Sequence, residues 1–206
     1  MAKIVTEITT IASLKKASVD AFDVLPRYSH PDRRMSSLAK IFKQKFKYFC
    51  VCDCNYVFSP SEDELYAGIK KAFDYKSLYL AYMHVDFEAP LLWGDIIGYG
   101  ALEISPNDTA KDIRLLVAEE NDKYSPMGIF AESVGIFLDT DVMVGWVSTF
   151  MEIAIFAFLE REQAKALINC NKNITFLGSE DLGQFMNKTE NEINERFGRM
   201  RQSLVH

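Results

Sequence analysis

The chain reads as an α+β fold, a mainly antiparallel sheet flanked by helices, and three observations predict it. Segments with helical apolar spacing alternate with segments rich in β-branched and aromatic residues, without an internal repeat. Two such β segments flank Asp139-Thr140-Asp141 at hairpin spacing, which makes antiparallel neighbours. No Pro/Gly/Ser-rich linker divides the chain, so residues 1–206 are expected to form one domain with a substantial core. A hydrophobic content of 49% with 25% charged residues argues against global disorder.

The elements follow in order. A first helix is expected from about Thr10 to Val24, closed by Pro26. Pro31 suits a first helical turn, and Met35, Leu38, Ala39, Phe42 and Phe46 follow at helical spacing. The other face of that helix would carry Arg33, Arg34, Lys40, Lys43 and Lys45, a basic and solvated face. Tyr48 to Phe58 reads as a strand. Ser59-Pro60 starts a third helix, with Ser59 and Glu62 at capping-box spacing and Leu65, Ile69 and Phe73 as its stripe.

Ser77 to Val85 reads as another strand. Pro90, Gly94, Gly98 and Gly100 punctuate a stretch that predicts a hairpin over Ile96–Ile104. Pro106-Asn107-Asp108 is a turn, followed by a helix over Thr109–Glu120 or, alternatively, a strand at Ile113–Val117. Val134–Leu138 and Val142–Val147 form the hairpin around the acidic three-residue turn. Thr149 and Glu152 have capping-box spacing and predict a helix through Ala166, ended by Asn169–Asn173, with Glu152 as a capping carboxylate. Ile174–Leu177 is a short strand, and a last helix from Ser179 carries Leu182, Met186, Ile193, Phe197 and Met200.

Charge is laid out unevenly. Residues 1–50 hold ten Lys/Arg against four Asp/Glu, a net of +6, and the remainder holds thirteen against twenty-five, a net of −12. An acidic chain with pI near 5.2 opposes a primary role in duplex nucleic-acid binding. The first twenty residues lack the apolar run and cleavage pattern of a secretory signal, which predicts a cytoplasmic location. The longest apolar stretch, Val142 to Leu159, is interrupted by Ser148, Thr149 and Glu152, so it is expected in a core and not in a membrane.

Signatures of chemistry are sparse. Cys50, Cys52 and Cys54 stand one residue apart, whereas zinc sites bring pairs spaced by two to four. On a strand the three share a face with Phe46, Tyr48, Tyr56 and Phe58, so the run reads as a buried strand face, with a metal or redox site as the alternative. His84 and Asp86 would share a strand face, as a base and its orienting carboxylate or as the start of a metal site. Neither Gly-x-Ser-x-Gly nor HExxH occurs, and Gly94, Gly98 and Gly100 lack dinucleotide-fingerprint spacing. No cofactor is expected.

The acidic residues are more telling. Between Asp86 and Glu132 ten carboxylates face only Lys111, Arg114 and Lys123. Trp93, Tyr99, Tyr124 and Phe130 interleave with them, and aromatic anchors within a charged rim are a common interface design. The expected partner-binding set is Trp93, Asp95, Tyr99, Glu119, Glu120, Asp122, Tyr124, Asp139 and Asp141.

The segment SVGIFLDTDVMVGWVSTFMEIAIFAF resembles a loose pattern in small cytoplasmic immunity proteins of bacterial polymorphic toxin systems, in which a strand pair bearing an aromatic near a glycine precedes an apolar segment with one acid. The resemblance spans about an eighth of the chain and carries over no functional residue. It implies an inhibitor that blocks a cognate toxin. The leading expectation is therefore a non-catalytic binding protein acting on a basic toxin or nuclease domain, with no direct contact to nucleic acid or membrane. A small hydrolase or transferase using His84 with a carboxylate, and an adaptor or structural subunit that could be dimeric, are the alternatives.

Overall fold

The computed structural model describes residues 2–23, 41–58, 64–83, 91–93, 96–109, 111–113, 133–149, 152–178, 181–182, 184–185 and 188. In chain order these form β1 (Lys3–Ile4), α1 (Ile8–Ala21), β2 (Tyr48–Asp53), α2 (Asn55–Phe58), α3 (Glu64–Ala72) and β3 (Leu78–Tyr82). There follow β4 (Leu91–Trp93), β5 (Ile96–Gly98), β6 (Ala101–Ile104), β7 (Val134–Leu138), β8 (Val144–Ser148), β9 (Ile153–Phe158), α4 (Arg161–Cys170) and β10 (Thr175–Gly178). Eight strands make one sheet in the order β1-β6-β3-β7-β8-β9-β2-β10, and β4 pairs with β5 separately. Every pairing is antiparallel. The expected fold class, α+β with an antiparallel sheet flanked by helices, is the one observed.

Helices cover both faces of this sheet. On one face Cys50, Cys52, Leu80, Ile136, Val147 and Phe156 pack under α2, α3 and α4, through Val57, Leu65, Ile69, Ala164 and Leu167. On the other, Val51, Ala81, Phe137, Trp146 and Ile155 pack under α1 and residues 41–46. Buried Ile11, Leu14, Ser18 and Ala21 recur along α1 at helical spacing and make its inward stripe. Phe22, Phe42, Phe46, Phe49 and Phe137 are buried in this second layer, where the Phe42 ring lies 5.2 Å from Phe22 and 5.7 Å from Phe49. Gly135 has no side chain to spare: a Cβ there would meet the Phe137 ring at 2.6 Å and Met83 Sδ at 2.7 Å. Trp146 is fully buried, and its Nε1–H donates to Ser133 Oγ at 2.7 Å, so its one polar atom is satisfied.

Six expectations need correction. The helix predicted from Thr149 to Ala166 is two elements: β9 at Ile153–Phe158 and α4 at Arg161–Cys170. β9 is buried on both faces between β8 and β2, so it shows no polar alternation and its IAIFAF run imitates a buried helix. Glu152 is accordingly no helix cap. It sits in the turn before β9 with φ 56°, its N–H donating to the Thr149 carbonyl at 3.2 Å. The strand expected through Phe58 stops at Asp53, and Asn55–Phe58 is a helical turn. The described part of the second helix is not helical: Phe42 bridges to Phe22, and Phe46 N–H closes a turn on the Lys43 carbonyl at 3.0 Å.

The hairpin predicted over Ile96–Ile104 does not form. β5 pairs with β4, and β6 joins the main sheet between β1 and β3. Finally, the strand expected from Val142 starts at Val144, with Met143 turned into the core and Asp141 at φ 53°. That backbone needs a left-handed residue, which Asp tolerates better than most. The remaining positions of the second helix, Ile113–Glu120 beyond 113, and most of the last helix lie outside the described residues.

Candidate functional site

Register places the site. Leu78 pairs with Ile104 on one side and Leu138 on the other, so the start of β3 and the ends of β6 and β7 emerge together. Three connections meet there. After β6, the Asp108 carboxylate accepts the Ser105 N–H at 2.7 Å, and Asp108 N–H donates to the Ser105 carbonyl at 3.0 Å, which closes the expected Pro106-Asn107-Asp108 turn. Next, Thr109 and Asp112 cap each other: Thr109 N–H donates to Asp112 Oδ2 at 2.9 Å and Asp112 N–H to Thr109 Oγ1 at 3.2 Å. These bonds hold the exposed Asp112 carboxyl below its ordinary range. After β7, both oxygens of Asp139 accept the Lys76 N–H at 3.2 Å, while Asp139 N–H donates to the Ser77 carbonyl at 3.1 Å.

Between α3 and the turn after β6 lies a cleft of about 230 Å³. Tyr66, Tyr75 and Ile104 form its buried part, and Lys70, Asn107 and Asp108 stand toward its mouth. Tyr66 donates its hydroxyl to the Val57 carbonyl at 2.8 Å, and burial pushes its phenol far above the ordinary range. Lys70, on the last turn of α3, reaches Asn107 Oδ1 at 3.5 Å.

Tyr75 differs from its neighbours. It is only 7% exposed, and it lines the cleft. Burial, then the carboxylates of Asp108 and Asp139, push it up to about 12, so at neutral pH it is a phenol in a negative field.

The sequence-predicted set divides. Asp139 and Asp141 are exposed at this end of the sheet, in the β7–β8 connection. Tyr99 lies at the opposite end of β6, where its N–H donates to the Val5 carbonyl at 2.8 Å and its half-buried side chain packs against the core under α1. Six residues of extended chain separate it from Ser105, about 20 Å. Trp93 belongs to β4, opposite Ile96. Asp95, Glu119, Glu120, Asp122 and Tyr124 lie outside the described residues, as do His84 and Asp86.

Cys50, Cys52 and Cys54 are buried in the core on the side of α2, α3 and α4. Desolvation pushes Cys50 and Cys52 up to about 12 and Cys54 to about 11, so all three are thiols at neutral pH. Cys50 directs its Sγ at the Ala164 carbonyl, 3.7 Å away. Among the described residues no group of three or more His, Cys, Asp or Glu side chains is placed to hold a metal ion.

Sequence reasoning missed Tyr66, Lys70 and Tyr75 as site residues. Tyr75 falls between a helix and a strand with no motif around it, and only the register of β3 with β6 brings it beside Asp108. The one available signal was the Pro106-Asn107-Asp108 turn, read as punctuation. No family model, curated protein or solved structure matches the chain.

Proposed function

We propose that this protein is a non-catalytic binding protein, an immunity-type inhibitor that occludes a basic toxin or nuclease domain through a carboxylate- and tyrosine-bearing surface. The observation that carries the reading is the division of its reactive groups. The Cys50, Cys52 and Cys54 thiols and the Tyr66 and Tyr82 phenols are buried and held neutral, which is poor material for nucleophilic or acid–base work. Exposed Asp139 and Asp141 instead stand at the end of the sheet where half-buried Asp108 lines an open cleft. Carboxylates at the rim of a contact steer a basic partner and govern how fast it arrives.

The test is association kinetics with a basic toxin or nuclease domain. Reversing Asp139 and Asp141 to Lys is expected to slow association several-fold at low salt, with the difference shrinking above ~0.5 M salt, where the Debye length falls below ~5 Å. Association indifferent to both charge reversal and salt would overturn the reading.

A further inference from the structure

We draw no further inference here: the strongest candidate, the outer edge of β10, unpaired among the described residues and bearing the Phe176 ring against Tyr48 and Arg161, carries nothing because nothing in the structure shows what covers it.

Discussion

Cys50, Cys52 and Cys54 measure how far surroundings override residue type. A thiol with an ordinary value of 9.0 ionises appreciably at pH 8, but one pushed up to about 12 does so in about one molecule in ten thousand. Native protein at pH 8 is therefore expected to leave all three unalkylated by iodoacetamide over hours, and to expose them at once in denaturant. Mass spectrometry of quenched samples reads the outcome, and rapid native labelling of Cys52 would contradict its placement beneath α3. The parity that put Cys50 and Cys52 on one apolar face was legible in the sequence, since they alternate with Phe49 and Val51 across β2. Cys54 lies past the end of that strand, and Phe46, expected on the cysteine face, packs in the opposite layer. Tyr75 was not legible, because its environment is made by Asp108 and Asp139, far from it in sequence.

At the scale of elements, β9 shows where reading by period fails. An antiparallel strand usually wets one face, and its alternation gives it away. Here α1 and residues 41–46 cover one face of the sheet while α2, α3 and α4 cover the other. All residues of β7, β8 and β9 are buried, and their alternation vanishes. The same segment shows how local spacing misleads. Thr149 and Glu152 fit a capping box, yet the chain turns there and Glu152 takes φ 56°.

That difference is measurable. A glycine near the start of a helix would cost up to ~1 kcal/mol, whereas glycine at a left-handed position relieves a penalty of ~1 kcal/mol. Glu152→Gly is expected to hold or raise the melting temperature. A drop of several degrees would return a helix to this segment.

At the scale of the whole molecule, several buried acids titrate together. Cys50 and Cys52 are pushed up to about 12 and Cys54 to about 11 from 9.0, and Tyr75 to about 12 from 10.0. Each binds its proton more tightly folded than unfolded. Their contribution to stability is thus complete below the unfolded values and is lost as pH rises through the folded ones. Stability is expected to be insensitive to these groups up to about pH 9 and to decline from there toward about pH 12. Denaturant melts across that range check it, and Cys50→Ala should flatten the decline even where it lowers stability at neutral pH. A midpoint that stays level through pH 11 would show that these groups are open to water in the folded state.

By itself the sequence determined the fold class, the presence of α1, the inward stripe of α3, the β7–β8 hairpin and the burial of the cysteine run. Each of these rests on local spacing or turn chemistry, which a linear chain displays. The tertiary structure decided the order of the strands, the double covering that makes β9 a central strand, and the cleft itself. It also separated Tyr99 from Asp139 along β6 and joined Tyr75 to Asp108 and Asp139 through the register of β3 with β6 and β7. Register is a pairing between distant segments, chosen by how their buried faces fit together, and no single segment carries it.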